Sequence, residues 1–390
     1  MSGFQKLPLI IIGAGIGGLT VACALRKAGY NVEVFEQAES FFPIGAGLVV
    51  MANGMRALRR IGLDRAVMQH GGALNCISIY AGKKRLWSAS ETFQREVSNP
   101  SCGILRPALH RILIDGCDGV PIHTGCRLKT FIQDDDGVKV CFENGKEVKG
   151  LALIGADGLR SRTREILLGN NTFRNVGMTT VLGCLDAREI ADTRHFNYTM
   201  GDGQSFLSFP VSETNYLWSA LIKTDIHKKD ITTAILGGRD GGKTISQDYL
   251  LKRFNNWHPS IPRLIENTDE KEYMRWDIFD RPHSTIWGKG RVTLLGDAIH
   301  PMAPTFGQGA NQAMEDAIVL ADSLCASDNL ISGFRHYEKL RQPRTRWIAK
   351  FARQLVHFSL ATNPVVVKLR NVMIPLSNNF IFGAALKWKG

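Results

Sequence analysis

The sequence predicts an α/β fold in which a parallel-sheet domain, assembled from separated stretches of chain, is interleaved with a β-sheet domain and followed by C-terminal helices. Three observations predict it. Short apolar runs at Leu7–Ile12, Leu151–Ile154 and Arg291–Leu295 each deliver a glycine-containing turn, as strands buried on both faces of a parallel sheet do. Between about Asn171 and Asp280 the pattern changes to alternating strands and polar turns. From Arg335 onward the chain is basic and helix-like, ending in an apolar segment.

The first run enters Gly13-Ala-Gly15-Ile-Gly-Gly18, and Leu19 to Gly29 reads as a helix closed by glycine. Gly13 permits a tight turn, Gly15 lets the backbone approach a pyrophosphate, and Gly18 allows close packing of helix and strand. The helix N-terminus offers free N–H groups and the positive end of a dipole to phosphates. Asn31–Glu36 is the second strand, and its terminal Glu36 stands where an acid binds ribose hydroxyls. A lone glycine trio is also compatible with an ordinary turn; the ordered strand, glycines, helix, strand and acid point to a dinucleotide.

The second run leads into Gly155-Ala-Asp157-Gly158, and hairpin turns at Asp134–Gly137 and Glu143–Gly145 precede it. By itself Asp-Gly is a common turn. At the end of a central strand it falls where open α/β sheets place ligands. The third run delivers Gly296-Asp297, then a loop carrying His300, Pro301, Pro304, Gly307, Gln308 and Gly309, then a helix from about Ala310 to Leu324. That helix N-terminus stabilises negative charge. His300 reads as a structural loop histidine or as a general base.

With these motifs on the page, the chain resembles the class A flavoprotein monooxygenases, the family of para-hydroxybenzoate and salicylate hydroxylases. It is similar above all to the alkylquinolone hydroxylases and zeaxanthin-epoxidase-like members. The resemblance implies a Rossmann-like FAD-binding domain and one non-covalent FAD. It implies NAD(P)H as cosubstrate, O2 as second substrate, and oxygen transfer through a flavin C4a-hydroperoxide. Carried over by position, the cofactor-binding residues are Gly13, Gly15, Gly18, Glu36, Asp157, Gly158, Gly296 and Asp297. Pro43–Gly47 resembles the segment beside the flavin, which adds Gly47, and Arg106-Pro-Ala-Leu109 resembles a short helix whose arginine contacts FAD. Pro304, Gly307, Gln308, Gly309, Ala310 and Asn311 resemble the loop lying against the isoalloxazine ring. No side chain is assigned a certain catalytic role, because the flavin performs the chemistry.

The expected FAD-binding domain is discontinuous (1–75, 101–172 and 281–330), the substrate domain comprises 76–100 and 173–280, and 331–390 form a C-terminal helical region. A hairpin of Gln204–Pro210 and Asn215–Ala220 would roof the flavin, with Phe206, Ser208, Tyr216, Trp218 and Pro304 as candidate substrate contacts. Alternation does not say which face of the hairpin meets substrate. Ser205 stands where the urate hydroxylases of the family carry a substrate-gripping arginine, and Arg194 and His195 are the cations nearest the hairpin. The implied substrate is therefore a neutral, hydrophobic aromatic, fused-ring or terpenoid compound, hydroxylated or epoxidised. Alternatives are an acidic, salicylate-like aromatic, or a flavin dehydrogenase or oxidase without oxygen insertion. Gly237–Gly242 lacks the strand and helix of a second dinucleotide fingerprint.

The eight cysteines form no C-x-x-C pair and read as buried, reduced thiols in a cytoplasmic protein, with no metal site. No leader or spanning segment is read from the chain. The formal charge of +12 comes without a nucleic-acid motif, so no nucleic-acid partner is expected. The basic tail reads either as a helix packed across the FAD domain or as a peripheral contact with an anionic membrane. A monomer or a homodimer fits the sequence.

Overall fold

The computed structural model describes residues 7–41, 47–74, 76–89, 101–169, 172–186, 195–201, 203–223, 245–386 and 388. The readings made on Pro43–Ala46, Arg194 and the Gly237–Gly242 run lie outside these residues.

A six-stranded sheet forms the centre of the nucleotide half, in the order Gly288–Lys289, Val292–Leu294, Ala152–Gly155, Leu9–Ile12, Val32–Phe35, Ile122–His123. All neighbours run parallel except the first, antiparallel pair. Its strands are almost wholly apolar because both faces are covered, one by helices and the other by a three-stranded antiparallel sheet of Leu128–Gln133, Val138–Phe142 and Glu147–Gly150. The helices Ile16–Lys27 and Gly309–Cys325 come from opposite ends of the chain and share one core, with Leu19, Val21, Leu25, Met314, Ala317 and Leu320 buried. Gly17 permits their contact: a Cβ there would stand 2.8 Å from Leu295 Cδ2 and 3.3 Å from the Ala313 Cβ.

The second large sheet has seven strands, ordered Met274–Asp280, Arg174–Asp186, Asn215–Lys223, Gln204–Pro210, His195–Gly201, Cys76–Ala81, Lys84–Ser88. Gln204–Pro210 and Asn215–Lys223 pair as the expected hairpin. A small sheet of Gly47–Val50, Ser101–Leu105 and Gly72–Leu74 links the two halves. The helices Gln247–Phe254 and Ser260–Glu266 cover one face of the seven-stranded sheet.

Pairing within each sheet is strict about faces. Phe206 lies opposite Ala220 and Ser208 opposite Trp218, so these share one face; Leu207 and Phe209 share the other with Ser219 and Leu217. Phe206 stacks on Trp218 at 5.5 Å and meets Phe254 edge-on, and the Trp218 Nε1–H donates to Thr268 Oγ1 at 2.8 Å. Phe206, Tyr216 and Trp218 therefore belong to the packed core beneath the two helices.

The long helix Leu330–Ser359 is clamped to Gly309–Cys325 by a buried ionic cluster. Glu315 accepts from Arg341 Nη1 (2.6 Å), Arg344 Nε (2.6 Å) and Asn53 Nδ2 (2.6 Å). Asp316 accepts from Arg341 Nε (2.6 Å), His300 Nε2 (2.5 Å) and the Gly296 N–H (3.1 Å). Burial alone would raise the Asp316 carboxyl, but His300 and Arg341 overcome it and hold the group down at about 2. The basic tail read from sequence thus consumes part of its charge inside the molecule.

Removing one partner leaves buried charge unpaired. We expect Arg341→Met to lower the unfolding free energy by about 3–5 kcal/mol, measured by denaturant titration; an unchanged midpoint would show that the cluster does not clamp the helix.

Candidate functional site

Register decides where the three motifs meet. Ile12 pairs with Gly155, and Gly155 with Leu294, so three adjacent parallel strands end level. The loops beginning at Gly13, Ala156 and Leu295 leave the same edge side by side. They are tied there by Ala156 N–H to Ile12 O (2.8 Å) and Leu295 N–H to Gly155 O (2.9 Å).

The three fingerprint glycines meet different demands. Gly13 has φ +102°, and a Cβ on it would strike the Ala156 carbonyl oxygen at 2.6 Å. A Cβ on Gly18 would lie 1.9 Å from Gly13 O. Gly15 has ordinary extended geometry, φ −77° and ψ −176°, and its Cβ direction is open for 4 Å. Gly13 and Gly18 are thus needed by the fold, whereas Gly15 leaves room at the start of the helix. Glu36 stands at the end of Val32–Phe35, accepting from the Ala14 N–H at 2.8 Å and the Ala38 N–H at 2.9 Å. A residue not anticipated from sequence completes this loop: His110 Nε2 lies 2.7 Å from Ala14 O. Nothing local marks it, since 96 residues separate the partners.

A cavity of about 480 Å³ opens here, lined among others by Gly13, Gly15, Glu36, Arg127, Asp157 and Arg160. Its glycine edge, terminal carboxylate and arginines fit an adenosine with attached phosphates. The donor chemistry and the open side of Gly15 therefore fit the dinucleotide end of FAD.

Asp157 turns elsewhere. Its carboxylate accepts from Ser161 Oγ (2.5 Å), Thr163 N–H (2.9 Å) and Thr163 Oγ1 (3.0 Å), at the start of the helix Arg162–Leu168. Burial raises its pKa, and these hydrogen bonds oppose the shift. This places the backbone around Gly158, rather than the Asp157 carboxylate, toward the cavity that both residues line.

The third loop begins at Gly296, φ +62°, and presents Asp297, Pro304 and Gly307 on its exposed side. Asp297 is open to solvent, yet protein crowds it closely enough that desolvation raises its carboxyl; the charges of His300 and Arg106 counter this. A carboxylate that is accessible but poorly solvated fits the wall of a groove that receives hydroxyl groups. Arg106 opens the helix Arg106–Gly116, which is longer than its four-residue signature because Leu109, Ile112 and Leu113 are buried. His300 is drawn into the ionic cluster through Nε2, the structural alternative of its two readings.

Gln308 and Asn311 point inward. Gln308 Oε1 accepts from Asn53 Nδ2 (3.0 Å) and Gln312 Nε2 (2.9 Å), and Asn311 joins Met51 N–H and Val49 O at 2.9 and 3.0 Å. Their side chains brace the loop against the strand Gly47–Val50. With these side chains turned inward, the loop offers backbone: the first N–H groups of Gly309–Cys325, with Gly309, Ala310 and the Gly307 turn. Gly47 packs tightly, since a Cβ there would meet Val211 Cγ1 at 2.5 Å.

The candidate substrate contacts Phe206, Ser208, Tyr216 and Trp218 require correction, because they lie on the face closed by helices. The opposite face carries Leu182, Cys184, Phe196, Leu207 and Met274, only half-buried, against Val49, Met51 and Ala52. Its hydroxyls pair with one another, Thr180 with Ser219 at 2.6 Å and Tyr198 donating to Ser359 (2.8 Å) and Ser205 (3.2 Å), while the buried Arg370 guanidinium bears on Tyr198 from one edge. The cysteines also depart from expectation. Cys184 is half-buried on this face, as are Cys76 and Cys141 elsewhere, and Cys325 is exposed.

A model of the FAD binding domain family matches residues 6–352. The aurachin C monooxygenase/isomerase of Stigmatella aurantiaca is 36% identical over 344 residues, covering 87% of this chain and 86% of the relative. The chloroplastic zeaxanthin epoxidase of Solanum lycopersicum is 33% identical over 379 residues, covering 90% of this chain and 54% of the relative. Among solved structures, Klebsiella pneumoniae HpxO complexed with FAD and uric acid superposes with a TM-score of 0.86 at 27% identity, covering 97% of this chain and 96% of that one.

Asp297 generates a prediction for the FAD-free protein. Its folded pKa lies above the unfolded value, so stability is fully present below the ordinary carboxylate range and is lost as pH rises through the folded pKa. Asp297→Asn should melt above the parent at pH 7, with the gap closing towards pH 4. Equal melting temperatures at both pH values would refute the crowding.

Proposed function

From a chain that belongs to the FAD binding domain family and is a flavoprotein monooxygenase, we propose an NAD(P)H-consuming enzyme that hydroxylates or epoxidises a neutral, hydrophobic aromatic, fused-ring or terpenoid substrate. One observation carries the substrate class. The face of the seven-stranded sheet turned from the two helices, at Leu182, Cys184, Phe196, Leu207 and Met274, combines apolar side chains with uncharged hydroxyls, and the cation at its Tyr198 edge, Arg370, is engaged by the Phe358 and Ser359 carbonyls. A carboxylate entering such a face would be desolvated without a partner. The relatives named for aurachin C and zeaxanthin support this reading over one based on the 3-amino-4-hydroxybenzoate 2-monooxygenase of Streptomyces platensis, 31% identical over 372 residues.

FAD, when bound and reduced by NAD(P)H, supplies the oxygen-activating chemistry. The chain supplies placement. In this reading Gly13, Gly15 and Gly18 with the N-terminus of Ile16–Lys27 receive the pyrophosphate, and Glu36 receives the ribose. Asp297, whose carboxyl feels the charge of Arg106, would hold the polyol chain. The loop Pro304–Gly309 would lie beside the ring, where the N-terminus of Gly309–Cys325 would favour negative charge. Braced by Gln308 and Asn311, that loop keeps its backbone donors fixed, and the apolar face above it excludes water.

The test is turnover under 18O2 with matched neutral and acidic ring compounds. We expect one labelled oxygen in the product. A neutral quinolone-type substrate should exceed a benzoate of equal size by about a hundredfold in kcat/KM, since an unpaired buried carboxylate costs about 3 kcal/mol or more. Label-free product would indicate a dehydrogenase or oxidase. Preference for the benzoate would refute the neutral pocket.

A further inference from the structure

The helix Pro364–Leu386 has its apolar side on the wrong side for a core helix. Arg370 is buried, and Ile374 packs against the cluster of Ile79, Trp87 and Met200, so that side faces the protein. The opposite side carries Val365, Val366, Leu369, Val372 and Leu376, at spacings that form one stripe on a helix. All five are exposed, Val365 by 75% and Leu376 by 80%. Lys368 is exposed at the edge of this stripe.

Charge singles out the region as well. After Glu338 the sequence contains ten Lys and Arg residues and no Asp or Glu. Arg341 and Arg344 serve the buried cluster, and Arg353 binds Asp280 at 2.8 Å. Lys339, Arg346 and Lys350 stay exposed on Leu330–Ser359, where Trp347 and Phe358 are also 40% and 41% exposed. Among the described side chains the stripe is aliphatic and carries no aromatic anchor, unlike the surfaces that grip protein partners. An aliphatic stripe in a stretch of chain with exposed lysines and arginine and no acids matches a bilayer interface rich in anionic headgroups. Among the described residues no helix is long and apolar enough to cross a membrane, so the contact is one of lying on the surface.

We propose that the outward stripe of Pro364–Leu386, with the exposed Lys339, Arg346, Lys350 and Lys368 of this acid-free stretch of sequence, docks this enzyme onto an anionic lipid bilayer. The same helix ends in Leu386, which packs with Val49, Met51, Phe209 and Leu217 beside the apolar sheet face. Docking therefore brings the flank of the substrate pocket towards the membrane. The value of this for a water-insoluble substrate rests on the proposed function; the docking itself does not.

The experiment is flotation of the FAD-loaded protein with vesicles of phosphatidylcholine alone or with 30% phosphatidylglycerol (about one lipid in three, enough for a strongly negative surface). We expect co-flotation with the anionic vesicles, weakened at least tenfold by 0.5 M salt, on the order of a 4–5 Å screening length. The double variant L369E/L376E should reduce partitioning at least tenfold while keeping the flavin spectrum and melting temperature, because both positions are exposed. Wild-type protein remaining at the bottom of the gradient would overturn the proposal. So would equal flotation of the double variant, or a dimer that the double variant dissociates without any vesicle binding. Turnover of a water-soluble neutral ring compound without vesicles reports separately on the proposed substrate class.

Discussion

The level ending of three parallel strands is the constraint on which the rest of this molecule depends. Ile12, Gly155 and Leu294 occupy one register line, so loops separated by almost three hundred residues begin within neighbouring strand spacings. Slipping any strand by two residues would carry its loop some 6–7 Å along the sheet and separate the parts of the site. The register is held from both sides, by apolar helices on one face and on the other by the antiparallel sheet carrying Leu128, Phe131, Val138, Val140 and Phe142. Gly17 lets one of these helices approach Leu295 and Ala313, the very segment from which the third loop departs.

The ionic cluster extends that control to the flavin end. Asp316 holds the Gly296 N–H and His300, while Glu315 reaches Asn53, which also binds Gln308. One pair of adjacent carboxylates thus fixes the start of the aspartate loop, the end of the proline–glycine loop and the long C-terminal helix. Such a cluster is costly to bury and is justified by specificity of arrangement more than by stability. Asp297 bears the complementary cost, since desolvation by the surrounding protein raises its carboxyl against the pull of His300 and Arg106.

The parts legible in the sequence are those whose physics is local. Strand, glycine turn and helix follow one another within about twenty residues, and a positive φ at Gly13 or Gly296 admits few other residues. Two things were not legible. Both faces of Gln204–Pro210 are apolar, with Phe206 on one and Leu207 and Phe209 on the other. Only the helices at 247–266, far along the chain, decide which face is covered. Arg341 and Arg344 read as surface charge because their acidic partners lie 26 and 29 residues away on another helix. The adjacent Glu315 and Asp316, in a helix whose neighbouring Met314, Ala317 and Ile318 are apolar, were the available sign that buried cations were needed.

The most direct test of the converging-loop account is titration of FAD into the apo-protein and its Gly15→Val variant, read by flavin fluorescence with far-UV circular dichroism alongside. Gly15 has backbone angles that valine tolerates, and its Cβ direction is empty, so the variant should fold with an unchanged spectrum. The account predicts stoichiometric binding by the parent and at least a hundredfold loss of affinity in the variant, about 2.7 kcal/mol, because the side chain fills the pyrophosphate's approach. Equal FAD affinity in the two proteins would contradict it.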